Sequence, residues 1–119
     1  MSTTAETGRA GERAAAEYLR RAGYEICALN WRSGRYELDI VARKAGIVHF
    51  VEVKTRTNLD MALPREYVTP QKQNKLRKTA RMYLAEKRLD CPARFDVAEV
   101  YAEHGFDEAR IEYLENAFQ

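Results

Sequence analysis

Residues 36 to 56, YELDIVARKAGIVHFVEVKTR, decide how this chain is read, because they alternate like a β-hairpin yet carry charge where a hairpin normally carries apolar side chains. In the first run Tyr36, Leu38, Ile40 and Ala42 fall on one face and Glu37, Asp39, Val41 and Arg43 on the other. In the second, Val48, Phe50, Glu52 and Lys54 share a face, and Ile47, His49, Val51, Val53 and Thr55 share the opposite one. Both runs are rich in β-branched and aromatic residues, as strands are. Glu37, Asp39, Glu52 and Lys54 are the residues that need a reason.

Register decides whether those charges meet. A two-residue turn at Ala45-Gly46, or a four-residue loop from Lys44 to Ile47, sets Asp39 opposite Glu52 and Glu37 opposite Lys54. A three-residue loop would instead set Asp39 opposite Val51. Ala-Gly is a weaker turn signal than Asn-Gly, so the first register is preferred for its chemistry. It brings two carboxylates to Cβ separations of about 4.5–5.5 Å, and like charges that close repel unless a cation, a proton or a lysine compensates. A divalent metal would meet that need.

A chain of 119 residues fits one domain, and at that size folding buries roughly two-thirds of the unfolded surface, enough for a core without staples. Cys27 and Cys91 match no zinc or redox spacing and read as plain thiols, and no apolar run is long enough for a membrane span. A soluble, reducing, cytoplasmic setting without membrane contact is expected. The net charge of +2 is unevenly spread: residues 1–53 carry 8 basic and 7 acidic side chains, residues 54–88 carry 10 and 3, and residues 89–119 carry 2 and 8. The basic middle suits a polyanion, although a solvated helix face would account for it equally.

In chain order, the residues up to Ala5 read as frayed, and ETGRAGERAAAEYLRRAG reads as a helix ended by Gly23, its start weakened by two glycines. At about 100° per residue, Glu12 lies near Ala15, Ala16 and Leu19, whereas Glu17 falls among Arg13, Arg20 and Arg21. Glu12 therefore points inward and needs a partner, which could be a structural salt bridge, while Glu17 points to solvent. YEICALNWR forms a first strand with Tyr24, Ile26, Ala28 and Asn30 on one side and Trp31 at the core or its rim. After the hairpin, TNLDMALPREYV has little periodicity and reads as a loop, with a short turn beginning at Asn58.

Thr69-Pro70 is a strong helix start. That helix runs to about Arg88, with Leu76, Ala80, Tyr83 and Leu84 buried, and Lys72, Lys75, Lys78 and Arg81 among its many exposed cations. These four are expected to engage phosphates. ARFDVAEVYAE alternates as a strand, with Phe95, Val97 and Tyr101 opposite Asp96, Ala98 and Val100, and Asp96 reads as a buried hydrogen-bonding acid or a solvent-facing one. His104-Gly105 turns the chain into ARIEYLENAF, an edge strand.

The order helix, three strands, helix, two strands, with Glu12, Asp39 and the triplet Glu52-Val53-Lys54, resembles the PD-(D/E)XK nuclease superfamily over nearly the whole chain. More narrowly, GERAAAEYL, YELDIVA, FVEVKTR, the basic helix and RFDV resemble the small bacterial YraN-like family, described as endonucleases of unproven substrate. That family has Gly-Glu-hydrophobic-Asp where this chain has Tyr36-Glu37-Leu38-Asp39. The resemblance implies a single α/β domain over residues 1–119, a restriction-endonuclease-like core of a mixed sheet flanked by two main helices.

It also implies metal-dependent hydrolysis of nucleic-acid phosphodiesters, and DNA as the partner. Asp39 and Glu52 would hold Mg²⁺ or Mn²⁺, with Glu12 as a further ligand and Glu37 as a secondary candidate. Lys54 would orient or deprotonate the attacking water. Holliday-junction resolvases within the superfamily suggest branched DNA and a homodimer. Two other classes compete: a non-catalytic nucleic-acid-binding module using the same basic helix, and a protein-interaction module using the aromatics and the sheet edge. A histidine-based hydrolase fits poorly, since His49 lies on the face opposite the acids and His104 lies in a turn.

Overall fold

The computed structural model describes residues 4–57 and 68–119. Residues 1–3 of the start expected to fray, and the loop expected after Thr57 with its turn at Asn58, lie outside the described residues, whereas Thr4 and Ala5, expected to fray as well, already belong to the first helix. Within them the elements are α1 (Thr4–Arg21), β1 (Glu25–Ser33), β2 (Tyr36–Lys44), β3 (Ile47–Arg56), α2 (Pro70–Glu86), β4 (Ala93–Tyr101), a short 3₁₀ turn (Phe106–Glu108) and β5 (Arg110–Phe118). The strands form one mixed sheet in the order β1-β2-β3-β4-β5. All neighbours are antiparallel except β3 and β4, which run parallel because α2 lies between them in the chain. This is the expected element order and sheet type.

The two helices cover opposite faces. Ala15, Ala16 and Leu19 of α1 pack with Ile40, Ala42, Val51, Ala98 and Val100, while Ala80 and Tyr83 of α2 pack with Leu38, Val41, Val48 and Phe50. In β3 and β4 this is the alternation read from sequence. β1 departs from it. A bulge between Ile26 and Ala28 adds a residue, which reverses the faces that follow. Ile26 and Tyr24 therefore pack on the α1 side, but Ala28 and Trp31 pack on the α2 side, so the single apolar face expected for this strand is corrected. A second irregularity lies at Asn30, φ 53°, between Leu29 and Trp31, whose partners Ile40 and Leu38 flank Asp39. Leu38 accordingly joins Val41 on the α2 side, not Ile40 and Ala42 as simple alternation requires.

The β2–β3 turn takes the expected form. Ala45 (φ 51°) and Gly46 (φ 78°) are both left-handed, as a two-residue type I′ turn demands. Ile40 faces Val51, Val41 faces Phe50 and Lys44 faces Ile47. The first helix ends in a Schellman motif, with Gly23 N–H donating to the Arg20 carbonyl (3.0 Å) and Tyr24 N–H to that of Leu19 (2.9 Å). The Lys44 ammonium donates to the next carbonyl, Ala22, at 2.6 Å.

Asp96 is a fully buried hydrogen-bonding acid. It lies 2.6 Å from Nδ1 of buried His49 and accepts from the Tyr113 hydroxyl and, at 2.8 Å, from Asn116 N–H. Burial and the hydrogen bond to Asp96 push the Tyr113 phenol well above its ordinary value.

Helix α1 crosses the sheet at Gly11, where an added Cβ would sit 1.9 Å from Thr55 Oγ1, whereas at Gly8 nothing lies within 4 Å. Gly11→Ala is therefore expected to destabilise by about 1–3 kcal/mol through overpacking. Gly8→Ala should stabilise by about 0.5–1 kcal/mol through reduced backbone entropy. Urea unfolding of the two variants checks the contrast, and equal effects would remove the proposed helix–strand contact.

Candidate functional site

Beyond the Ile40–Val51 pair the β2–β3 ladder stops, and Asp39 takes over a backbone role. Its Oδ2 accepts the Val53 N–H at 2.9 Å, a bond that a strand carbonyl would otherwise supply. The register predicted from sequence holds up to that point and leaves Asp39 and Glu52 side by side, each within reach of the other's charge. Burial, then the neighbouring Glu52 charge, push the Asp39 carboxyl up to about 7, against a partial pull downward from Val53 N–H.

Glu12 arrives from α1, one residue after the Gly11 contact. Burial raises its pKa, an Asn30 hydrogen bond opposes this, and the charges of Glu37 and Glu52 add to the rise. Its Oε2 is buried without a hydrogen-bond partner among the described residues. The inward reading of Glu12 holds, and Glu17 is exposed and pairs with Arg21 at 3.0 Å. Glu37 pairs with Arg32 of β1 at 3.4 Å, its direct cross-strand partner. With the β2–β3 ladder ended, sheet pairing does not hold Glu37 against Lys54.

Sequence reasoning assigned Lys72 to a row of phosphate contacts and missed its second role. Its ammonium lies 2.5 Å from Glu52 Oε1. Burial opposes the charged form, but the hydrogen bond and charge of Glu52 raise the Lys72 pKa overall. A signal was present in the sequence. Thr69 caps α2 by accepting the Lys72 N–H at 3.2 Å, so Lys72 stands in the first turn, which holds no acid. A cation there is disfavoured by the helix dipole unless an anion from elsewhere meets it. Lys54 follows on β3, beside Lys72, with Glu99 of β4 as its sheet partner.

Glu37, Asp39, Glu52, Lys72, Lys75 and Thr79 line a cavity of about 130 Å³. A larger groove of about 530 Å³ runs between α1 and the 3₁₀ turn, but its Glu17 and Arg21 neutralise each other and it gathers no cluster of acids. Outside the acid cavity, Lys75 and Lys78 reach over the Tyr36 ring, and Arg81 is exposed further along α2. Among the described residues, no three His, Cys, Asp or Glu side chains lie close enough together to hold a metal ion as they stand. The donor set nevertheless suits a hard divalent cation. Asp39 and Glu52 are oxygen donors in mutual repulsion, and Glu12 offers an oxygen without a partner.

An Asp that titrates near 7 when folded, against 3.8 ordinarily, binds its proton more tightly in the folded protein. Its contribution to stability is complete below the lower value and is lost as pH rises through the higher, at up to about 1.4 kcal/mol per pH unit. In metal-free buffer Asp39→Asn should therefore melt above the wild type at about pH 8 and lose that advantage by about pH 4.5. A difference in Tm that stays constant across that range would assign the titration elsewhere.

The sequence profile described as "Uncharacterised protein family UPF0102" matches residues 11–100, from Gly11 of α1 to Val100 of β4, a span that includes the whole acid cluster and α2. A UPF0102 protein of Bacteroides fragilis is 47% identical over 111 residues, covering 93% of this chain and 90% of that protein. Another, from Porphyromonas gingivalis, is 43% identical over 118 residues, covering 99% and 87%. A third, from Caldicellulosiruptor saccharolyticus, is 40% identical over 114 residues, covering 95% and 97%. With a profile match over most of its length and relatives this similar along nearly their whole chains, the protein belongs to the UPF0102 family.

Proposed function

We propose that this chain is a metal-dependent endonuclease of the PD-(D/E)XK type, hydrolysing phosphodiester bonds of nucleic acid, with DNA as the preferred partner. The observation that carries the reading is the desolvated Asp39–Glu52 pair, held in contact at a cost to stability beside a lysine-rich helix. Asp39 and Glu52, with Glu12, would hold Mg²⁺ or Mn²⁺. When bound, such a cation neutralises phosphate charge and makes its water a nucleophile near neutral pH. Lys54 orients the attacking water and stabilises negative charge developing beside Glu52. Lys72, paired with Glu52 in the structure, would be available to the substrate phosphate once that carboxylate is engaged by a cation. Lys75, Lys78 and Arg81 contribute sequence-independent affinity along the backbone.

One observation favours a second reading. The Lys72–Glu52 ion pair satisfies Glu52 without any metal, which suits a non-catalytic nucleic-acid-binding module.

Cleavage assays with Mg²⁺ and Mn²⁺ on duplex, single-stranded and four-way-junction DNA and on structured RNA separate the two. Asp39→Asn and Glu52→Gln should each lose more turnover than the roughly 10- to 100-fold that loss of an outer-shell partner costs, with binding in chelator little changed. Wild-type protein that binds these substrates and cuts none would favour the module.

Metal affinity provides an independent readout. Mn²⁺ should raise the Tm of the wild type but not of Glu52→Gln, since a ligand that binds only the folded state stabilises it. Lys72→Gln should bind Mn²⁺ more tightly than the wild type, because the competing ammonium is gone. Weaker binding in Lys72→Gln would show that Lys72 supports the metal site instead of competing for it.

A further inference from the structure

Tyr36 plays no part in the proposed chemistry, yet it lines a concavity that shares Lys75 with the acid cavity. It opens β2 directly after the loop Gly34-Arg35, with Ser33 of β1 as its partner. Gly34 has φ 61°, the conformation that a two-residue type II′ turn places at its first position, so the ring is carried on a tight hairpin tip. From the other side α2 brings the ammonium groups of Lys78 and Lys75 to 5.3 and 6.0 Å from the ring centroid. Arg35, Tyr36, Asn74, Lys75 and Lys78 line an open concavity of about 380 Å³. Lys75 also lines the acid cavity, so the two concavities adjoin.

The chemistry of this concavity is one-sided. It offers three cations, an amide and an aromatic ring, with no acid among its lining residues. The hydrogen bond and charge of Lys78 hold the Tyr36 phenol below its ordinary value, which fits a positive local potential. Cations alone would suit any polyanion. A partly exposed ring among them adds a surface for a second flat group, and in nucleic acid that group is a base. Bases in a duplex are stacked and hide their faces, so only an unpaired or extruded base can use such a ring.

We propose that Tyr36 is a stacking platform for an unpaired nucleobase, with Arg35, Lys75 and Lys78 holding the adjoining phosphates, and that the substrate class is single-stranded or locally unpaired nucleic acid. This rests on the nucleic-acid reading above but not on cleavage.

The test is binding in chelator, where cleavage cannot interfere, read by fluorescence anisotropy with labelled oligothymidylate, the same strand bearing an abasic site in its middle, and a blunt duplex of equal length. The wild type should prefer the intact strand. Tyr36→Ala should weaken that binding by roughly 5- to 150-fold, the effect of losing one stacked base, while changing duplex binding less than about 2-fold and losing discrimination between intact and abasic strands. Tyr36→Phe, which keeps the ring, should behave as wild type, and matching circular dichroism melts would show that both variants fold. Lys75→Gln with Lys78→Gln should weaken strand and duplex alike and lower the salt slope by roughly one unit per lost phosphate contact.

Equal losses on strand and duplex in Tyr36→Ala, an unchanged affinity, or a wild type that prefers duplex would each overturn the proposal. A protein that fails the metal-dependent cleavage assays but shows this stacking signature would sink the nuclease reading and leave the platform standing. One that cuts but lacks the signature would do the reverse.

Discussion

The contact between the Asp39 and Glu52 carboxyls is the constraint on which the rest of this molecule turns. A carboxylate in mid-strand position is desolvated by its neighbours, and placing a second one beside it makes the double charge unaffordable without a proton or a cation. Asp39 holds its place because its side chain accepts the Val53 N–H just where the β2–β3 ladder ends. The same local break that opens the strands supplies the bond that keeps the acid there. Glu52 is neutralised from above by Lys72 in the first turn of α2, and Glu12 is brought from below by a helix whose Gly11 lies close against Thr55 of β3. Four elements each bring one group to this part of the sheet.

The opposite side of the sheet shows what a purely structural buried acid looks like in the same protein. Asp96 is buried more completely than Asp39 or Glu12, yet both its oxygens are used, by His49, Tyr113 and Asn116. A polar network satisfied in this way specifies packing and asks for nothing further. Around Asp39 the account does not close. One oxygen of Glu12 has no partner, and Asp39 meets a like charge. Buried polar groups left in this condition are uncommon in native proteins and call for an explanation. That contrast, more than burial or pKa taken alone, separates the candidate site from the framework.

Much of this was legible in the sequence because it follows from periodicity. Alternation in YELDIVARK and IVHFVEVKTR, with a turn at Ala45-Gly46, gives the register and sets Asp39 and Glu52 on the α2 side. The helical wheel separates inward Glu12 from outward Glu17, and Thr69-Pro70 marks the start of α2. What escaped depends on local departures from period or on contacts between distant segments. The bulge after Ile26 and the left-handed Asn30 break a strand whose composition gives no warning, and with them the face of Leu38. Gly11 reads as a weak helix residue until Thr55 is known to lie against it. Lys72 stands out from the other cations only by its place in the first turn of α2, which calls for an anion, and the packing of α2 over β3 shows that the anion is Glu52.

That ion pair bears on how the proposed activity would be organised. On the proposed reading Lys72 and a divalent cation would both require the Glu52 carboxylate, so each would weaken the other's hold on it. A nucleic-acid phosphate gives Lys72 another anion to pair with, and so removes the competition. By linkage, a substrate that draws Lys72 away must strengthen metal binding, and the metal must strengthen substrate binding by the same factor. The lysines further along α2 act in the same direction, raising the local concentration of polyanion beside a cluster of acids that would otherwise repel it. In the absence of substrate, Lys72 compensates Glu52 and leaves Asp39 and Glu12 to be satisfied otherwise. On this view the tolerance of a buried Glu52 beside a half-buried Asp39 and the readiness of Glu52 to exchange its counter-ion are one property, set by the lysine that the helix start places over β3.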